Sequence, residues 1–83
     1  MKKSILSEIV KEREYQDQIY GEVHDNAHTP EEWNKLVDAM QTDSIVKSKL
    51  TGSYYKFRKK MVQAAATIVA AIEAHDRTNI KKL

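Results

Sequence analysis

The stretch that decides the fold is YYKFRKKMVQAAATIVAAIEAHDR at residues 54–77. It contains no Gly or Pro, and within residues 61–72 only Gln63 and Thr67 are polar. This composition, rich in Ala with Ile, Val and Met nearby, favours an α-helix. The apolar positions run nearly all round that helix, so it needs cover on more than one side. We therefore expect it to be the most buried element, with Ile68 in the core and a second copy of the chain supplying part of the cover.

The length and composition are those of one small helical domain over residues 1–83. A chain of this size buries only about 60% of its unfolded surface, so oligomerisation is a plausible source of stability. The sequence has no Cys, which excludes disulfides and thiolate zinc sites. It also has no signal-peptide h-region and no apolar run long enough to span a bilayer. We expect a soluble cytoplasmic protein with no membrane partner.

Acidic and basic residues are unevenly distributed. Residues 1–43 hold ten acids and five bases, whereas residues 44–72 hold six bases and no acid. Four of these bases crowd the start of the long helix: Lys56, Arg58, Lys59 and Lys60. The helix dipole favours negative charge at that end, so the cations indicate a phosphate site. The alternative is a solvated basic face, or pairing with the acidic first half within or between subunits.

A first helix is predicted over residues 3–20, with Ser4 as a possible N-cap and Gly21 as its stop. Its inward stripe is apolar at first and then polar, and it consists of Ile5, Leu6, Ile9, Val10, Arg13, Gln16, Asp17 and Tyr20. Buried polar groups need hydrogen-bond partners. The polar half, with Arg13, Asp17 and Tyr20, is therefore expected to face a cavity or another charged element.

Residues 21–29 are predicted to form a polar loop that brings His24, Asp25 and His28 close together. A turn-rich connector is the favoured interpretation, because His-Asp-x-x-His without further ligands is a weak zinc pattern. A metal or catalytic site is the alternative, and the imidazoles would equally suit substrate binding.

Thr29, Pro30 and Glu32 form a capping box with Pro at the first helical position, which predicts a helix start. The apolar phase of that helix changes after Gln41. The segments predicted from here are a helix over 30–41, a break near 42–44, a short helix over 44–50, and the long helix over 54–77 with Ser53 as its N-cap.

Three stretches together resemble small bacteriophage and bacterial proteins related to MazG-like nucleotide pyrophosphohydrolases. They are KEREYQDQIYG at residues 11–21, HDNAHTPEEW at 24–33 and FRKKMVQAAATIVAAIEAHDR at 57–77. The resemblance implies an all-α, MazG-like bundle that dimerises or tetramerises through its long helices. It also implies a nucleotide ligand, which the catalytic members of the family bind as a triphosphate through magnesium.

The chain departs from that family at the catalytic carboxylates. MazG-like enzymes place an EExxE cluster on one helix and an ExxD pair on the next, and these hard oxygen ligands hold magnesium. Here the helix after Trp33 offers only Asp38, and the expected acidic pair aligns with Lys60 and Gln63. We therefore predict no catalytic residues, no metal site and no cofactor.

The leading hypothesis is a phage-type, non-catalytic protein that captures a phosphorylated or cyclic signalling nucleotide, countering host defence in the host cytoplasm. The predicted ligand-binding residues are Arg13, Asp17, Tyr20, His28, Trp33, Lys56, Arg58 and Lys59. One alternative is a magnesium-dependent nucleoside triphosphate pyrophosphohydrolase, with Asp17, Asp25, Asp38 or His28 improvising a metal site. Another is an interaction module that binds a host protein or nucleic acid through the basic segment. In each case we predict a homo-oligomer, a dimer or dimer of dimers, joined through residues 61–72.

Overall fold

Four α-helices make up the protein in a computed structural model, which describes residues 1–52 and 54–79 and leaves out the side chains of residues 47, 48, 51, 54 and 55. The helices are α1 (Lys3–Ile19), α2 (Gly21–Asn26), α3 (Pro30–Thr51) and α4 (Tyr54–Asn79). No strand occurs in the residues described, which confirms the predicted all-α class. No helix among them is both long enough and apolar enough to cross a membrane.

The turn at Gly21 joins two helices, whereas the sequence predicted a helix followed by a loop. Gly21 has a φ of 76°, a left-handed conformation that glycine adopts without the steric cost of a Cβ. The chain re-enters a helix at once, so residues 21–26 form α2 and the loop prediction was wrong. Arg77 of α4 fixes α2 in place, because its Nε donates to Asn26 Oδ1 at 2.9 Å.

The two predicted N-caps within the described residues behave differently. The backbone N–H of Glu32 donates to Thr29 Oγ1 at 3.2 Å, and the backbone N–H of Thr29 donates to Glu32 Oε1 at 3.0 Å. This reciprocal pair confirms the capping box, and its hydrogen bonds lower the pKa of Glu32. Ser4 does not cap α1, because that helix already begins at Lys3 and its N-cap residue makes no side-chain hydrogen bond. The predicted cap at Ser53 lies outside the described residues.

Helix α3 is continuous through the position where a break was predicted. No Gly or Pro occurs between residues 31 and 51, so nothing local ends the helix before Gly52, which has a φ of 64°. Ser44 stays within the helix and donates to the carbonyl of Gln41 at 2.6 Å. The apolar stripe does not continue in this half of α3, where the small Ser44 is buried and Ile45 and Leu50 are exposed. A change of burial was mistaken for a break.

Helix α4 contacts each of the other helices and carries the core. The buried apolar residues of the described chain all lie on it: Ala64, Ala66, Ala70 and Ala74. Met61, Ile68, Val69 and Ile72 are exposed on the protomer, so Ile68 does not belong to the core of the protomer as predicted. On a helix, residue 68 is about 160° from residue 70 at ~100° per residue, so burying the alanines exposes the isoleucine.

Candidate functional site

The polar half of the inward stripe of α1 centres on Arg13, whose guanidinium contacts carboxylates from three helices. Its Nη2 lies 3.2 Å from Asp25 Oδ2 and 3.4 Å from Asp17 Oδ1, and its Nε donates to Glu73 Oε1 at 2.7 Å. The Arg13 side chain is 12% exposed and that of Asp25 is 7% exposed, whereas Asp17 and Glu73 are about half-exposed. The structure therefore confirms the prediction that Arg13 faces inward.

Arg13 remains charged in this setting. Burial alone would lower the pKa of its guanidinium, but the hydrogen bond that Arg13 donates to Glu73 and the charges of Glu73, Asp17 and Asp25 together raise that pKa. The cluster has more acid than base, with one guanidinium against its carboxylate partners. Arg13 thus supplies the positive charge that balances these carboxylates.

Gln16 lies one turn further along α1 and spans the gap to α4. Its Nε2 donates to Thr67 Oγ1 at 3.1 Å and to the backbone carbonyl of Gln63 at 3.3 Å. Since the Gln63 carbonyl can only accept, these contacts fix the orientation of the Gln16 amide and leave its Oε1 as an acceptor. Thr67 is buried, and its hydroxyl also donates to the Gln63 carbonyl at 2.8 Å.

A row of aromatic rings follows from α1 through α2 to α3. The Tyr20 ring stacks on His24 with centroids 4.9 Å apart, His24 lies 4.6 Å from His28, and His28 lies 4.8 Å from Trp33. Tyr20, His24 and His28 succeed one another at intervals of four residues, and although only His24 lies within α2, the chain over residues 20–28 brings the three rings into contact. His28 is further held by its Nδ1, 2.9 Å from the His24 carbonyl.

These rings and the Gln16 amide border a cleft of about 210 Å³. The cleft is lined by Gln16, Tyr20, His24, Asp25, His28, Trp33, Leu36, Met40, Thr67 and Ala70. No Lys or Arg is among the lining residues, so the cleft combines aromatic and apolar surface with one amide and one buried carboxylate. Such a lining suits a flat, partly polar ring more than a phosphate group.

The basic turns of α4 lie in a different place. Arg58 donates to both carboxylate oxygens of Glu8, at 2.7 and 2.5 Å, and this bidentate contact lowers the pKa of Glu8. Arg58 and Lys59 line a shallow hollow with Lys11 and the two acids Glu8 and Glu12. Pairing of the basic segment with the acidic first half, the alternative to a phosphate site, therefore occurs at Arg58 within one protomer.

The structure brings together some of the predicted site residues and separates others. Tyr20, His28 and Trp33 line the cleft, and Arg13 contacts the cleft carboxylate Asp25. Asp17 contacts Arg13 at the surface. Arg58 and Lys59 line the hollow on the other side of Gln63, and the exposed Lys56 lines neither. Contacts between the basic residues and a ligand stay predictions.

His24, Asp25, Gln16, Met40 and Thr67 also line the cleft, although none was among the predicted ligand-binding residues. For His24 the signal was present, since it falls midway between Tyr20 and His28 at helical spacing, but the loop interpretation of residues 21–29 concealed it. Met40 and Thr67 carry no sequence signal for a site. Within the described residues, no group of three or more His, Asp or Glu side chains could hold a metal ion.

Comparison with protein-family models, with curated proteins and with solved structures found no match to this chain.

Proposed function

We propose that the protein binds a nucleotide without cleaving it, with the base in the aromatic cleft. The observation that carries the proposal is the ring series Tyr20–His24–His28–Trp33 along a cleft of about 210 Å³. Stacking of a base on an aromatic side chain is worth about 1–3 kcal/mol. A cleft bordered by several rings favours such a ligand over an aliphatic one.

The polar groups of the cleft supply the contacts that would orient the base. Gln16 presents Oε1 as an acceptor, because its amide nitrogen is already engaged by α4. An exocyclic amine or ring N–H of a base is the complementary donor. Asp25 adds a second acceptor at the same cleft, held by Arg13 Nη2 at 3.2 Å.

The phosphates of the ligand would leave the cleft toward the basic turns of α4. No Lys or Arg of the described residues lines the cleft, and the basic hollow lined by Arg58 and Lys59 lies past Gln63. Lys59 is eight residues before Thr67 on α4, about 12 Å along the helix at ~1.5 Å per residue. Arg58 is already paired with Glu8. We therefore assign the first phosphate contact to Lys59, which lines the same hollow.

Binding is favoured over hydrolysis because Arg13 already pairs with carboxylates that a magnesium ion would need as ligands. Asp17 and Asp25, two of the acids that an improvised magnesium site would use, both contact the Arg13 guanidinium. A metal ion would have to displace that fixed positive charge. The resemblance to bacteriophage proteins extends the proposal to capture of a host or signalling nucleotide, which would counter a defence system.

Trp33 provides the direct test, because it is the only Trp in the chain and lines the cleft. Its fluorescence would be followed while mono-, di- and triphosphates and cyclic dinucleotides are titrated in, with and without magnesium, and calorimetry would confirm each affinity. Tyr20→Ala should weaken binding about fivefold or more, the lower end of the stacking range. Tyr15→Ala is the matched control, since Tyr15 lies on α1 five residues before Tyr20, does not line the cleft, and is 58% exposed against 56% for Tyr20.

The outcomes separate the candidate functions. Saturable binding that Tyr20→Ala weakens and Tyr15→Ala leaves unchanged supports the proposal. Magnesium-dependent release of pyrophosphate would support the enzyme alternative instead. No response to any nucleotide in the panel would refute the binding function, and a salt-sensitive affinity for DNA or RNA in its place would support the interaction module.

A further inference from the structure

Asp25 is the carboxylate among the residues that line the aromatic cleft, and its side chain is 7% exposed. Two neighbours hold it in place: Arg13 Nη2 lies 3.2 Å from Oδ2, and His24 Nδ1 lies 3.4 Å from Oδ1. A carboxylate has about four lone-pair positions, two on each oxygen. Each oxygen of Asp25 therefore keeps one position for a further donor, so the group can accept two parallel N–H bonds, as a carboxylate does from an arginine fork.

The other polar groups of the cleft also accept more than they donate. Gln16 keeps Oε1 as an acceptor, because its Nε2 donates to α4. The Nδ1 of His28 lies 2.9 Å from the His24 carbonyl, which can only accept, so Nδ1 carries the proton and Nε2 of the neutral ring is an acceptor. The same reasoning applies to His24, whose Nδ1 faces the Asp25 carboxylate. Among the described lining residues, only Trp33 has a side chain that can donate but not accept.

The common nucleobases differ in what they present to such a carboxylate. Guanine presents a ring N–H and an exocyclic amine on adjacent atoms, which are two parallel donors. Adenine and cytosine place an unprotonated ring nitrogen beside their amine, whereas uracil and thymine place a carbonyl on each side of their ring N–H. In each of these four bases an acceptor would face the Asp25 carboxylate, and two unpaired acceptors in a buried site are costly.

We propose that the cleft selects guanine, whose ring N–H and 2-amino group donate to the two oxygens of Asp25. The inference rests on the proposed nucleotide binding and names the base. Arg13 is a positioning residue in this arrangement, since it contacts the carboxylate but does not line the cleft. The cleft of about 210 Å³ is smaller than the ~300–1,000 Å³ of pockets for drug-sized ligands, so it encloses one base and leaves the sugar and phosphates outside.

The test titrates purine nucleoside monophosphates into the protein, follows Trp33 fluorescence and obtains each affinity by calorimetry. The decisive pair is GMP and IMP, because hypoxanthine lacks only the 2-amino group of guanine. GMP should bind at least ~10-fold tighter than IMP, the lower end of the range for a hydrogen bond to a charged group. AMP and XMP should bind more weakly still, because each turns an acceptor toward the carboxylate while stacking stays comparable.

Asp25→Asn should reverse the preference. The amide keeps one acceptor and gains a donor, which together match the ring N–H and the 2-carbonyl of xanthine. The variant should therefore bind XMP more tightly than GMP, a gain that a loss of stability cannot produce. Asp43→Asn is the matched control, because Asp43 is exposed on α3 and does not line the cleft, and it should keep the preference for GMP.

The outcomes separate this inference from the binding function on which it rests. Saturable binding with GMP and IMP within ~3-fold of each other would overturn the choice of guanine and leave nucleotide binding intact. An Asp25→Asn variant that folds and still prefers GMP would do the same. If that variant does not fold, the wild-type comparison of GMP with IMP decides alone. Absence of binding by every purine nucleotide would overturn the inference together with the proposed function.

Discussion

Replacing Arg13 by Met should destabilise the protein by about 3–4 kcal/mol. The substitution keeps much of the side-chain length and removes the guanidinium. Among the described residues, the Asp25 carboxylate, 7% exposed, then keeps only the contact with His24 Nδ1 at 3.4 Å. Losing one partner of a buried ion pair costs about 3–5 kcal/mol. Although the contact to Glu73 is the shortest, at 2.7 Å, that carboxylate is half-exposed and adds no more than about 1 kcal/mol.

The loss is best measured by urea unfolding followed by circular dichroism at a fixed protein concentration, since assembly would otherwise alter the apparent stability. In a thermal melt the same loss corresponds to a Tm lower by at least about 12 °C for a domain of this size. Glu73→Gln is the matched control and should cost about 1 kcal/mol or less.

The double variant Arg13→Met with Asp25→Asn tests whether the loss of stability comes from leaving the buried Asp25 carboxylate without its partner. Replacing both partners removes the unpaired buried charge, so the double variant should recover at least about half of the loss, because most of the cost is that of leaving one charge alone. A loss below about 1 kcal/mol in the single variant, or a double variant less stable than the single one, would refute the reasoning.

Two further predictions concern the termini of the helices and the surface pair. Thr29→Ala removes the hydroxyl that caps α3 and should cost about 1 kcal/mol in chemical unfolding, while Thr42→Ala, on the exposed side of the same helix, should cost little. Arg58 lowers the pKa of Glu8 by hydrogen bonding, so the stabilisation from this pair is present above the unfolded pKa of Glu8 and is lost as the pH falls through the folded pKa. The Tm difference between wild type and Glu8→Gln should therefore shrink from about pH 7 to about pH 3, and a constant difference would show that the charge of Glu8 is not responsible.

The features that were predicted correctly depend on local signals. The long helix follows from an Ala-rich stretch without Gly or Pro, and the capping box from Thr29 and Glu32 at the required spacing. The inward position of Arg13 follows from extending the apolar stripe of α1 by threes and fours. Each of these inferences compares residues within one or two helical turns, where sequence spacing and spatial proximity agree.

The features that were missed depend on how the helices pack. Which turns of α1 and α4 face each other has no local signal, so the predicted ligand-binding residues could not be divided between the cleft and the basic hollow from the sequence, and their contacts with a ligand stay a prediction. Arg58 pairs with Glu8 of α1, whereas the ring series lines the cleft together with Thr67. No local sequence pattern predicts which turn of one helix packs against which turn of another.

The placement of small and large residues on α4 bears on both the cleft and the predicted homo-oligomer. Where α4 faces the other helices it presents Ala66, Ala70 and Thr67, which are too short to fill the space under the aromatic rings. The apolar bulk that a core of this size needs is instead on the opposite face, at Ile68 and Ile72. A small inner face leaves a cleft of about 210 Å³, and a large outer face leaves exposed apolar surface of the kind that a second copy would cover in the predicted homo-oligomer. The same division of side chains therefore favours both a ligand within the protomer and a second protomer against it.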